Sequence, residues 1–172
     1  MSKEFTFELP ENPLKTSAHA VAHMAYLDLL SSVERLHRLL LDVIKDEFER
    51  VGVVEINSVQ GLLLFNIGDK ELSAGELKSR GYYQGSNVSY NLRKLVDMDY
   101  MHHERCEIDR RSVRVKLTEK GQKICALIEC LFKGHAADII DKSVCREHEF
   151  DQTSHILKRL ERYWTSQIRC IY

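Results

Sequence analysis

Apolar residues recur at helical spacing along most of this chain, and they switch to alternation in one central stretch. From about Thr16 to Val51, Tyr26, Leu29, Leu30, Val33, Leu36, Leu40, Ile44 and Phe48 fall three or four apart, and Leu27, Leu39, Leu41 and Val43 widen the stripe. A helix this long that is apolar on more than one face cannot bury itself in a single small domain, so it needs a partner surface. A second, short helix is expected over Ser58–Ile67, capped by Asn57 and carrying Val59, Leu62, Leu63 and Phe65. Gly68-Asp69-Lys70 turns the chain, and Glu71-Leu72-Ser73 can add a short strand. Ala74–Arg80 reads as a helix between a Ser73 cap and a Gly81 stop, with Tyr82-Tyr83-Gln84-Gly85 as the turn that follows.

The stretch from Ser86 to Val96 places Val88, Leu92 and Leu95 on one buried stripe. Alternation follows. Met101–Ile108 reads as a strand, Asp109-Arg110-Arg111 as a charged tip, and Ser112–Leu117 as a returning strand. On that second strand Val113, Val115 and Leu117 share one face, and Ser112, Arg114 and Lys116 share the other. Thr118 then caps a helix over Glu119–Lys133 with Ile124, Leu127, Ile128 and Leu131, and a last helix begins near Glu149 with Ile156, Leu157, Leu160, Tyr163, Trp164, Ile168 and Ile171. Met1–Lys15 reads as an arm that holds both prolines, Pro10 and Pro13, and the alternating Phe5, Phe7 and Leu9.

These elements describe a mainly α protein with a small β wing, an α+β chain built as a winged helix-turn-helix with N- and C-terminal dimerisation helices. The expected organisation is an arm at 1–15, a dimerisation helix at 16–56, the DNA-binding unit at 57–121 and C-terminal dimerisation helices at 122–172. Off the buried stripe of the central helix lie Ser86, Asn87, Ser89, Tyr90, Arg93 and Lys94, side chains suited to base edges and phosphates. A helix in the major groove beside a ribbon with basic Arg110 and Arg111 at its tip is a known way to read a duplex.

Charge supports that placement locally. The chain carries a net charge of −1, yet Lys78–Lys120 holds ten Lys and Arg against six Asp and Glu, a net +4 that leaves −5 for the rest. Phosphate neutralisation is local, so a basic centre on an acidic scaffold suits a DNA-reading module.

Asp109-x-Arg111, five residues, then Leu117-Thr118-x-x-Gly121 resembles the wing signature of the MarR family of bacterial transcription regulators, with every motif position filled. The resemblance extends to the long helix before the unit and the two after it. It implies a homodimer on palindromic double-stranded DNA, with Arg111 entering the minor groove. It also implies a small aromatic or phenolic effector in a crevice between the dimerisation helices and the DNA-binding lobe, for which Tyr26, Leu30, Arg35 and Phe65 are the candidate lining. Asp99 stands where the family usually has glycine, and aspartate tolerates the left-handed backbone that would end the helix there. The wording Gly81-Tyr82-Tyr83-Gln84-Gly85-Ser86-Asn87-Val88-Ser89-Tyr90-Asn91 and the N-terminal arm resemble the LdtR type within that family, which implies control of L,D-transpeptidase genes and cell-wall stress tolerance.

Other chemistry is weakly signalled. His19 and His23 are spaced i, i+4, and Cys145-x-x-His148 joins His135 and His155 as conceivable metal ligands, whereas His102 and His103 are adjacent on a strand and point apart. Cys106, Cys125, Cys130, Cys145 and Cys170 are an odd number in no framework spacing, which favours reduced thiols and a cytoplasmic protein, with Cys106 in the basic wing as the candidate redox switch. No Gly-rich phosphate loop, G-x-S-x-G elbow or H-E-x-x-H pair occurs, so no enzyme, cofactor or membrane span is expected. The alternatives are a metal- or thiol-oxidation-responsive regulator and a winged-helix module for protein contacts.

Overall fold

The chain was described from a computed structural model, which covers residues 16–73, 76, 85–105 and 113–171. Several expectations fall outside the described residues. These are the arm at 1–15, the first helix of the helix-turn-helix (Ala74–Arg80) apart from residue 76, its turn up to Gln84, the tip with Arg110 and Arg111, and Cys106. The side chains of Ser86, Asn87, Val88 and Ser89 also lie outside them.

Helix α1 spans Ser17–Val51. Thr16 caps its first turn by accepting from the His19 N–H at 3.2 Å, and Gly52 ends it at φ 77°, a left-handed conformation that glycine adopts without a Cβ penalty. Only the C-terminal part of α1 enters the core, through Ile44 and Phe48, with Leu40 and Leu41 partly buried beside them.

Helix α2 spans Ser58–Ile67, the bounds expected from the sequence, and opens with a full capping box. The Asn57 side chain accepts from the Gln60 N–H at 2.9 Å, and the Gln60 side chain accepts in return from the Asn57 N–H at 3.1 Å. Leu62, Leu63, Leu64 and Ile67 are all buried, so α2 is apolar around its circumference and sits at the centre of the molecule. Gly61 lets α1 approach closely: a Cβ there would overlap the Phe48 ring. On its other side the Phe65 ring meets Phe132 edge to face at 5.2 Å.

Strand β1 (Leu72–Ser73), helix α3 (Gly85–Asp97), and strands β2 (Met101–Arg105) and β3 (Val113–Leu117) follow. Among the described residues the strands form one antiparallel sheet in the order β1-β3-β2, with Leu72 opposite Val115 and Met101 opposite Leu117. The short strand expected at residues 71–73 therefore pairs with the wing. Val115 and Leu117 are buried while Arg114 and Lys116 are exposed, as the alternation requires.

Helix α4 spans Glu119–Asp141 and helix α5 spans Glu147–Ile171. The first runs eight residues past the expected end at Lys133. Gly134 is tolerated inside it, and the helix stops only where Ser143 turns left-handed at φ 54°. The second starts two residues earlier than expected, because the Arg146 N–H donates to Glu149 Oε2 at 2.7 Å and caps the first turn. Trp164 of α5 donates its indole N–H to the Tyr26 hydroxyl of α1 at 3.0 Å.

Candidate nucleic-acid interface

Helix α3 is anchored through Leu92 and Leu95, both buried, so its remaining faces are presented outward. Tyr90 is 61% exposed, Arg93 and Lys94 are exposed, and the Lys94 ammonium lies 5.6 Å from the centre of the Tyr90 ring one turn earlier. Three of the expected DNA-reading side chains thus share the solvent side of one helix. Phenol, guanidinium and ammonium groups placed this way can meet phosphates, base edges and base faces.

This helix is tied to other elements at its middle and at its exit. Near its middle, Gln60 Nε2 donates to Asn91 Oδ1 at 3.3 Å, which links α3 to the capping box of α2. Past its C-terminus, Asp99 adopts φ 59°, the left-handed conformation expected of the residue standing in the glycine position. The Asp99 carbonyl then accepts from the Thr118 hydroxyl at 2.7 Å, and the Tyr100 carbonyl accepts from the Thr118 N–H at 3.2 Å. Thr118 Oγ1 accepts in turn from the Gly121 N–H at 3.1 Å, so one threonine caps α4 and clamps the exit of α3. Gly121 is required because a Cβ there would overlap the Tyr100 carbonyl oxygen.

A cluster surrounds that clamp. Glu55 Oε2 accepts from the Lys120 ammonium at 2.6 Å and from the Tyr100 hydroxyl at 2.9 Å. Lys120 also donates to the Met98 carbonyl at 3.1 Å and stands 4.2 Å from the centre of the Tyr100 ring. The Lys120 and Tyr100 hydrogen bonds hold the Glu55 carboxyl below its ordinary value. Burial, then the bond to Glu55, pushes the Tyr100 phenol up, and the Glu55 bond raises Lys120. Sequence reasoning missed this cluster and the Gln60–Asn91 link. The Asn57-x-x-Gln60 spacing is a readable signal for the capping box itself, but pairs 31, 45 and 65 residues apart leave no local trace.

The winged helix DNA-binding domain family matches residues 56–121. Exopolysaccharide II synthesis transcriptional activator ExpG of Rhizobium meliloti (strain 1021) is 35% identical over 146 residues, which cover 85% of this chain and 75% of that protein. In structure, a MarR transcriptional regulator from Methanosarcina mazei Go1 aligns with a TM-score of 0.63 at 24% identity, covering 80% of this chain and 96% of that one. The chain belongs to the MarR family of winged-helix transcription regulators. FabT of Streptococcus pneumoniae, solved in complex with DNA, has the same fold at a TM-score of 0.61 and 22% identity, over 82% of this chain and 98% of that one.

This MarR-type regulator scatters the four candidate effector residues. Leu30 lines an α1–α5 groove of about 520 Å³ together with Leu29, Val33, Leu157, Trp164 and Ile168, while Tyr26 is not part of that lining and bonds Trp164. Phe65 instead packs on Phe132 beside the core, and Arg35 is exposed on α1. Among the described residues no three His, Cys, Asp or Glu side chains gather as a metal ion would need. Cys125 is a half-buried thiol whose burial, with Asp69 and Glu129 nearby, raises its pKa and disfavours the reactive thiolate, whereas Cys130 is exposed. No described helix is long and apolar enough to cross a membrane.

Proposed function

We propose that this MarR-type transcription regulator works as a homodimer on palindromic operators. In this reading Ser86, Asn87, Ser89, Tyr90, Arg93 and Lys94 of each α3 meet a major groove, and Arg110 and Arg111 reach the adjacent minor groove. The observation that carries it is the apolar surface that α1 and α5 leave uncovered in one chain: Val21 is 72% exposed, Leu36 64% and Ile168 57%, with Met24, Leu39 and Trp164 one turn away. Soluble monomers rarely leave so many large apolar side chains uncovered along two helices, and a second copy would cover them while setting two recognition helices one helical turn of DNA apart.

An aromatic or phenolic effector fits best in the α1–α5 groove, where Leu30, Leu157 and Trp164 give apolar walls and Ser154 and Thr165 a few polar atoms, with Tyr26 bonded to the Trp164 of that wall. A ligand there would change operator affinity only by its differential affinity for the two spacings of the recognition helices. The genes controlled belong, in this proposal, to cell-envelope polysaccharide chemistry. The resemblance to the LdtR type points to L,D-transpeptidase genes, and the relative ExpG is named for exopolysaccharide II synthesis.

The test combines light scattering on the full chain with fluorescence anisotropy on duplexes selected by the protein from a random library. The expected result is a dimeric mass, recovery of inverted repeats, and weaker, less salt-dependent binding by Arg111→Ala with the dimer intact. A monomer that recovers no inverted repeat overturns the proposal.

A further inference from the structure

The linker from α1 to α2 holds the recognition helix at two separated points. At its end, Gln60 in the first turn of α2 reaches Asn91 within α3. In its middle, Glu55 gathers Tyr100 and Lys120, which flank the exit of α3 and the entry to α4. The Lys120 ammonium joins three groups at once, the Glu55 carboxylate, the Met98 carbonyl just past α3 and the face of the Tyr100 ring.

Stability does not account for this arrangement. Glu55 and Lys120 have half-exposed side chains, at 55% and 42%, and a solvent-exposed ion pair contributes little to stability because water and salt screen it. The backbone near α3 is already fixed by Thr118 and by the close contact at Gly121. What Glu55 adds is a connection between the segment leaving the long helix α1 and the segment leaving the recognition helix.

We infer that Glu55, Tyr100 and Lys120 form a positioning cluster that sets the tilt of α3 from the end of α1, so that sequence discrimination depends on a carboxylate that does not touch DNA. The inference rests on the proposed reading of α3 as the DNA-reading helix. Glu55 is then a positioning residue, and its effect on binding has the opposite sign to its charge. Removing a carboxylate near a polyanion should, by electrostatics alone, tighten binding to every duplex. Loosening α3 should weaken binding to the cognate duplex and leave random duplex unaffected or slightly better bound.

Glu55→Gln and Tyr100→Phe test this on the full chain. Binding is measured by anisotropy on a duplex selected by the unaltered protein and on a random duplex, with thermal unfolding recorded alongside. Each variant should lose about fivefold or more of the ratio between the two affinities, the range of a modest coupling between sites. The double variant should lose no more than the worse single one, because both break one unit. The inference is overturned if Glu55→Gln binds both duplexes more tightly with the ratio intact, or if the losses of ratio simply add in the double variant. If the unaltered protein itself shows no preference between duplexes, it is the underlying reading of α3 that fails, and the inference falls with it.

Discussion

Gln60 is 3% exposed, and its one side-chain amide serves two elements: the oxygen accepts from the Asn57 N–H and the nitrogen donates to Asn91 of α3. Gln60→Ala should therefore remove the reciprocal half of the capping box and strand the Asn91 oxygen together, a loss of about 1–3 kcal/mol. Asn91→Ala keeps the cap and should cost about half as much. Urea unfolding of the two variants checks the order, and equal losses would show that the capping half of the interaction contributes nothing.

Three glycines should respond differently to alanine. At Gly121 the added methyl meets the Tyr100 carbonyl, a backbone atom that cannot swing away, so the clamp on α3 must open. At Gly61 it meets the Phe48 ring, which can rotate only within a packed core, and the cost of such overpacking is about 1–3 kcal/mol. At Gly134, inside α4, nothing lies within 4 Å, and alanine should stabilise by about 0.5–1 kcal/mol through helix propensity. Thermal melts should rank Gly134→Ala above the unaltered protein, then Gly61→Ala, then Gly121→Ala.

Asp99 holds φ 59° where most residues are strained. Asp99→Gly should be neutral or stabilising, while Asp99→Val should lose about 1–2 kcal/mol because a β-branched side chain opposes the left-handed backbone. A destabilised glycine variant would show that the carboxylate, rather than the backbone, is what the position needs.

The Glu55 carboxyl is lowered from 4.5 by Lys120 and Tyr100. A carboxylate with a lowered folded-state pKa contributes stability that is present above its unfolded value and lost as pH falls through the folded one. The cluster should thus hold above pH 4.5 and release below it, and Glu55→Gln should flatten the acid limb of a stability profile. Lys120 is raised above 10.5, so its contribution is present below that value and fades only as pH climbs through the higher folded-state pKa. An acid limb unchanged by Glu55→Gln would remove Glu55 from the groups that respond to acid.

Legibility in the sequence followed the range of the interaction. The bounds of α2, the Thr118 cap, the left-handed Asp99 and the alternation of β3 are set within a few residues by capping, backbone sterics and pleat, and all were readable. The extra turns of α4 were not, because Gly134 resembles a stop while Ala136, Ile139 and Ile140 carry the helix on. The exposure of Tyr90, Arg93 and Lys94 was readable because the buried spacing of Leu92 and Leu95 dictates the opposite face. Tyr26 meeting Trp164 was hidden, since 138 residues separate them and only folding brings α5 alongside α1.

Gly61 against Phe48 has a consequence for how such a protein can change over time. The family match begins at residue 56, yet α2 is packed by Ile44 and Phe48 from before that point and by Ile124 and Ile128 from beyond residue 121. The matched stretch is therefore not a cassette that recombination can splice intact into a foreign scaffold, because it would arrive with its central helix uncovered on two sides. If α3 reads DNA as proposed, new preferences are more accessible by single substitutions on its outer face, which leave that shared interior untouched.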